Sequence, residues 1–140
     1  VSCRTFGNFE VFIDKKPVKF QYNKSREFFA FMVDRNGALS GIQEIIASLW
    51  SEEDEEGNHL SYLKKMRGDI LSVFEEAGCG DVIVRQRGRI GIRPEAIDCD
   101  YFDFLKGDEK AKASFTGEYM VQYSWAEYTT GALMKTAEQR

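Results

Sequence analysis

A change of period at residue 78 constrains this chain more than any other feature. From about Asn58 to Ala77, Leu60, Leu63, Met66 or Arg67, Ile70, Phe74 and Ala77 recur at helical spacing and mark an inner face. His59, Ser61, Tyr62, Lys64, Lys65 and Asp69 fall toward the other sides. Gly78-Cys79-Gly80 stops that helix. Val82-Ile83-Val84 is then a β-branched run, Arg87-Gly88 a turn, and Ile90-Gly91-Ile92 a returning strand before Pro94. A helix therefore runs directly into a hairpin, and both are basic. Residues 58–93 hold seven Lys/Arg (Lys64, Lys65, Arg67, Arg85, Arg87, Arg89, Arg93) against four acids (Asp69, Glu75, Glu76, Asp81). A double helix offers a groove for such a helix and flanking phosphates for such a hairpin.

The preceding residues supply the rest of the pattern. Phe6, Phe9, Val11 and Ile13 alternate in part with polar neighbours, which reads as one or two strands bent at Gly7-Asn8. Asp14-Lys15-Lys16-Pro17 is a turn and Val18-Lys19-Phe20 a short returning strand. Ser25 is a fitting N-cap for a helix through Val33, whose buried side is Phe28, Phe29, Phe31 and Met32. Asn36-Gly37 ends it. Ser40 caps a second helix, with Gln43 at the capping-box position and Ile42, Ile45, Ile46, Leu49 and Trp50 as its core stripe.

Composition sets the outer limits. The 140 residues suffice for one good core with a small second lobe. With 43% hydrophobic and 30% charged residues the chain is of the globular class, not the disordered one. No apolar run approaches a membrane span, and no secretory signal is visible, so a cytoplasmic location is expected. Cys3, Cys79 and Cys99 form no CxxC pair and read as reduced thiols. The single His59 reads as a helix-start residue. No nucleophile–base set, phosphate-cradling glycine loop or metal pattern is present at readable spacing. Asp98, Asp100 and Asp103 lack an EF-hand arrangement and are read as helix N-terminal charge, so no enzyme, metal or cofactor is expected. The chain starts at Val1 and runs almost at once into a strand, which reads as a piece of a longer protein.

Residues 97–140 change in character. Asp100-Tyr101-Phe102-Asp103-Phe104-Leu105 opens a short helix stopped by Gly107, Lys110 to Phe115 is a second, and Ser124 caps a third through about Glu138. Trp125, Tyr128 and Leu133 are its expected contacts. The division expected is therefore 1–96 and 97–140.

Several of these segments together resemble the winged-helix effector domain of OmpR/PhoB-type response regulators, in the variant followed by a bacterial transcriptional activator domain. Phe6-Gly7-Asn8-Phe9-Glu10-Val11 is similar to the family's opening strand, and Lys15-Lys16-Pro17-Val18 to its turn. Ile45-Ile46-Ala47-Ser48-Leu49-Trp50 is similar to the second-helix ending, Tyr62-Leu63-Lys64-Lys65-Met66-Arg67 to the recognition-helix pattern, and Arg87-Gly88-Arg89-Ile90-Gly91-Ile92 to the wing. Asp100-Tyr101-Phe102, Gly117-Glu118-Tyr119 and Trp125-Ala126-Glu127 resemble the start of the helical activator domain. Gly68 and Asp69 depart from the family, which often has Arg or Lys there, and this lowers the expected phosphate affinity.

The resemblance implies an α+β fold: a winged helix-turn-helix with an N-terminal antiparallel sheet, a C-terminal hairpin wing and a short helical extension. It implies a non-enzymatic DNA-binding domain of a transcription regulator in a two-component system. Ser61, Tyr62, Lys64, Lys65 and Arg67 would read the major groove, and Arg85, Arg87 and Arg89 the flanking groove or backbone. Lys24, Ser25 and Ser40 at helix starts would hold phosphates, or simply cap. The acidic run Glu52, Glu53, Asp54, Glu55 and Glu56 would contact RNA polymerase, or simply hold the loop in water. Two copies would bind paired half-sites, under control of an upstream receiver domain. Blander readings stand beside these: a solvated helix face, a packed stem or structural ion pair for Arg67, and a charged turn that guards a strand edge. The rival function is a protein-interaction module of winged-helix fold that has lost DNA binding, which the net charge of −4 favours.

Overall fold

The computed structural model of the chain describes residues 1–50 and 58–138. It is a mixed α+β structure. In chain order it has strands β1 (Ser2–Arg4), β2 (Glu10–Ile13) and β3 (Lys16–Pro17), helix α1 (Asn23–Asp34), strand β4 (Ser40–Gly41) and helices α2 (Ile42–Leu49) and α3 (His59–Glu76). Strands β5 (Ile83–Gln86), β6 (Arg89–Ile92) and β7 (Asp98–Cys99) follow, then helices α4 (Asp100–Leu105), α5 (Glu109–Ser114) and α6 (Glu127–Glu138). The chain forms two compact units, Val18–Ala96 and Val1–Pro17 with Ile97–Arg140.

In Val18–Ala96 the core is built around α1. Phe28, Phe29, Ala30, Phe31, Met32 and Val33 form an unbroken apolar run, and all six are buried. A helix apolar on every side must be covered on every side, and α2, α3 and β6 pack around this one. Phe29 stacks on Phe74 of α3 with ring centroids 4.9 Å apart. Strands β4, β6 and β5 form a three-stranded sheet in that spatial order. The β5–β6 hairpin pairs Ile83 with Ile92 and Arg85 with Ile90. Its two-residue turn has φ of +52° at Arg87 and +76° at Gly88, the primed geometry that matches strand twist. Gly91 has a different reason: a Cβ there would lie 2.9 Å from Leu39 Cδ2 and 3.1 Å from the Ala38 carbonyl.

Two expected helix caps are not used. Tyr22, not Ser25, occupies the N-cap position of α1, and Ser25 lies buried inside the helix. Ser40 is buried in β4, paired with Ile90, and Gly41 precedes α2. Leu60, expected on the inner face of α3, is 43% exposed, and Ala77 lies beyond the helix end.

The other unit holds a four-stranded sheet in the order β3-β2-β1-β7. β1 pairs antiparallel with β2 and parallel with β7, with Cys3 opposite Cys99. The sheet is thus not purely antiparallel, and residues 1–17 lie with 97–140 instead of with the rest of 1–96. The returning strand after the Asp14-Lys15 turn is Lys16–Pro17, not Val18–Phe20. Asp100, at the start of α4, holds this unit's opening bend. Its carboxylate accepts from the Thr5 amide (2.9 Å), the Thr5 hydroxyl (2.6 Å), the Phe6 amide (3.1 Å) and the Tyr101 amide (2.8 Å). Phe6 then packs against Phe104 and Phe115. Residues 118–122 run alongside: Gly7 N donates to the Glu118 carbonyl, Met120 N to that of Thr5, and Val121 N to that of Gly7. The Gln122 side-chain amide bridges both backbone groups of Phe9. In α6 only Leu133 is buried; Tyr128, expected as a contact, is 93% exposed.

All three cysteines are free. Burial pushes the Cys99 thiol up to about 12, and burial also raises Cys3, reinforced by Cys99 beside it. A thiol raised on folding stabilises the fold below its unfolded value near 9, and that contribution is lost as pH rises toward about 12. Stability of this unit should therefore fall over that alkaline window, and iodoacetamide at about pH 8 should label half-buried Cys79 well before Cys3 or Cys99. Peptide mass mapping of a labelling time course checks the order. Replacing Asp100 with Ala should lower the unfolding free energy by about 3 kcal/mol in urea titration, because several donors lose their acceptor at once.

Candidate functional site

The site is set by how α3 is rotated about its axis. Leu63, Met66, Asp69, Ile70 and Phe74 are its buried residues. Asp69 Oδ2 accepts from the Tyr22 amide at 3.1 Å and from the Ser25 hydroxyl at 2.6 Å. This carboxylate ties the middle of α3 to the first turn of α1, where a negative charge meets unpaired amides and the positive end of the helix dipole. The expectation for Asp69 was a place on the outer sides of the helix, as a charge that weakens phosphate binding; buried to 9% exposure, it is a structural anchor instead. Its place three residues after Met66 carried the signal: a polar residue at the edge of an apolar stripe needs a buried partner.

With that face inward, Ser61, Lys64, Lys65 and Gly68 are exposed, and Arg67 is half-buried. Lys64 and Arg67 stand three residues apart and share one stripe of the helix. Tyr62 is 41% exposed, on a different side. Its ring lies 5.8 Å from that of Tyr22 and 6.2 Å, edge-on, from that of Trp50. Trp50 also stacks on His59, with centroids 4.6 Å apart and planes within 9°. His59 is thus part of an aromatic cluster at the start of α3.

The hairpin brings the remaining bases. Arg85 occupies the same row of β5 as buried Ile83 and pairs with Ile90, so the row that faces the core ends in a guanidinium. A cavity of about 380 Å³ lies there, lined by Arg67 of α3, by residues 85–90 of the hairpin, and by Phe28, Ile42, Ile45 and Leu63 beneath. Arg67, Arg85, Arg87 and Arg89 therefore border one space. Among the described residues, none of these four, nor Lys64 or Lys65, forms an ion pair; the acids that do pair take Arg4, Lys24, Arg35 and Arg93. The sequence pointed to the arginines. It did not point to Gln86; Phe28, Ile45 and Leu63, which read as core, are buried, and Ile42 is half-buried.

The helix-start candidates fare differently. Lys24 Nζ bonds to the Leu49 carbonyl at 2.5 Å and to Glu27 at 3.1 Å, and stands 5.4 Å from the centre of the Trp50 ring. It closes the end of α2. Ser25 and Ser40 are buried, one on Asp69 and one in the sheet. The acidic run Glu52, Glu53, Asp54, Glu55 and Glu56 lies outside the described residues. Among the described residues, no helix is long and apolar enough to cross a membrane.

No family model matches the chain, and no curated protein matches its sequence. Among solved structures, EmbR of Mycobacterium tuberculosis in complex with a low affinity phosphopeptide is similar, with a TM-score of 0.76 at 16% identity. The match covers 99% of this chain and 42% of EmbR. At that identity the likeness is one of fold.

Asp69 is the residue on which the arrangement turns, and its removal should show as lost stability before any loss of charge chemistry. Asp69→Ala should lower the unfolding free energy by about 3 kcal/mol, and Asp69→Asn by less, because the amide keeps an oxygen acceptor. Urea titration of both variants, with far-ultraviolet circular dichroism, checks the ranking.

Proposed function

We propose that this chain is a double-stranded DNA-binding part of a transcription regulator of winged-helix type. In this reading α3 enters the major groove and the β5–β6 hairpin is the wing. The observation that carries it is the convergence of Arg67, Arg85, Arg87 and Arg89 on one cavity beside exposed Lys64 and Lys65, with no acid paired to any of them among the described residues. Free cations on two elements that share a concave border suit a polyanion with a groove and a raised backbone. In this reading Ser61 and Lys65, exposed on α3, would reach base edges, and Lys64 and Arg67 the phosphate rail on the hairpin side. Arg87 and Arg89, exposed at the hairpin tip, suit a narrow minor groove, whose potential attracts arginine. Phosphate contacts by Ser25 and Ser40 do not enter this reading, because both hydroxyls are buried. The likeness of fold to EmbR supports a multidomain context, since the match covers 42% of that protein.

The same reading includes paired copies on DNA, because one module of this size offers limited area and affinity. It also includes contact of the acidic run 51–57 with a basic surface of RNA polymerase, and an upstream receiver domain in the full protein. No catalytic role or cofactor is part of it.

A protein-interaction module is the second reading. The net charge of −4 favours it, and EmbR, a structural neighbour, was solved in complex with a phosphopeptide. The burial of Asp69 weakens it, since that acid does not stand on the outer face of α3.

Salt separates the two readings. Duplexes selected from a random pool should bind with an affinity that falls steeply as salt rises, and Lys64→Ala with Lys65→Ala should flatten the log–log slope by about 1 for each phosphate no longer neutralised. Fluorescence anisotropy across a salt series measures both. Binding that is absent, or indifferent to salt, rules the DNA reading out.

A further inference from the structure

We propose that Leu60, in the first turn of α3, is a specificity residue for DNA, its side chain packing against the C5-methyl group of a thymine in the major groove. This rests on the DNA reading above and adds to it the base that is read. Among the described residues of Val18–Ala96, two large apolar side chains are exposed, Leu60 and Tyr62. Both belong to the first turn of α3, on either side of Ser61. The exposure of Tyr62 has a packing reason, since its ring rests against those of Tyr22 and Trp50. Leu60 differs. The helical period assigns it to the inner face, yet it lies outside the arc of buried residues that Leu63, Met66, Asp69, Ile70 and Phe74 define. At 100° per residue it falls within about 40° of both Lys64 and Arg67.

The cations on that stripe select the partner. Lys64 and Arg67 form no ion pair with an acid among the described residues, so what they bring to Leu60 is a polyanion. The chemistry of the groove then selects the base. Base edges in the major groove present donors and acceptors, apart from one apolar group, the thymine methyl. A leucine against a donor or acceptor leaves that group without its water. Against a methyl it removes two apolar groups from water at once. A recognition helix reaches base edges with its N-terminal residues. Along one stripe, therefore, Leu60 meets a base while Lys64 and Arg67, further along α3, meet the phosphates beside it.

Exchange of thymine for deoxyuridine tests the contact, because it deletes the methyl and leaves pairing, charge and hydrogen-bonding groups in place. In a duplex selected from a random pool, each thymine is replaced in turn and affinity is read by fluorescence anisotropy. At one thymine of the bound site the exchange should weaken binding about fourfold, the worth of one buried methyl. Leu60→Ala should bind the thymine and deoxyuridine duplexes equally at that position, with an unchanged salt slope because no charge is lost. Alanine suits an exposed helical position, so this variant keeps its fold. Lys64→Ala should do the reverse, with a shallower salt slope and the fourfold ratio kept. A chain that binds duplex but treats every deoxyuridine as thymine overturns the Leu60 contact and leaves the DNA reading standing. A fourfold ratio that survives in Leu60→Ala does the same. Binding to no duplex at all overturns both.

Discussion

Asp69 sits at the edge of the apolar stripe of α3 and accepts from the Tyr22 amide and the Ser25 hydroxyl at the first turn of α1. Apolar burial alone leaves a helix some freedom to rotate and slide, because the hydrophobic effect has no direction. A buried carboxylate removes that freedom. Its hydrogen bonds demand distance and angle, and leaving it unpartnered costs several kcal/mol. Moving α3 by one residue would turn its faces by about 100° and strand Asp69 away from both donors. The outward placement of Ser61, Lys64 and Lys65, and the presence of Arg67 at the cavity, follow from this one interaction. The acid that looked like a defect in a basic helix is what aims the bases.

The unit formed by residues 1–17 and 97–140 uses the same device in another place. Asp100 stands at the start of α4 and gathers the amides of Thr5 and Phe6 at the bend after β1. Without it the turn from β1 toward β2 would leave buried donors open. Parallel pairing of β1 with β7 then brings Cys3 beside Cys99, where burial holds both thiols neutral. In each unit a carboxylate fixes local geometry that apolar packing only approximates.

Much of this order is legible in the sequence because its signals are local. The α3 period, its stop at Gly78, and the hairpin turn at Arg87-Gly88 each depend on a few adjacent residues; the positive φ of Gly88 is a direct demand of the turn. The converging arginines are legible as charge. What the sequence hides is partnership at a distance. Ser25 and Ser40 look like caps, since a serine before an apolar run is a start signal, yet each is claimed by a remote element, Asp69 in one case and β6 in the other. β7 is two residues long and carries no period of its own; only its pairing with β1 makes it a strand. Tyr128 shows the opposite error, an aromatic on a helix that buries only one side chain.

The charge balance turns on where the acids go. A net of −4 is a poor guide to a phosphate approaching α3, because exposed charges beyond about 8–10 Å are screened at ordinary salt. Within the described residues the ion pairs are sorted. Glu27 meets Lys24, Glu44 meets Arg35, Glu95 meets Arg93 and Glu10 meets Arg4. None of these pairs involves a base on the exposed face of α3 or on the hairpin strands. Asp69, the one acid in the middle of α3, spends its charge on backbone and hydroxyl donors beneath the helix. The result is a local surplus: six cations on two elements, with no acid paired to them among the described residues. Holding like charges that close is unfavourable in the free protein. An arrangement that keeps them so spends folding stability on charge that no acid among the described residues offsets.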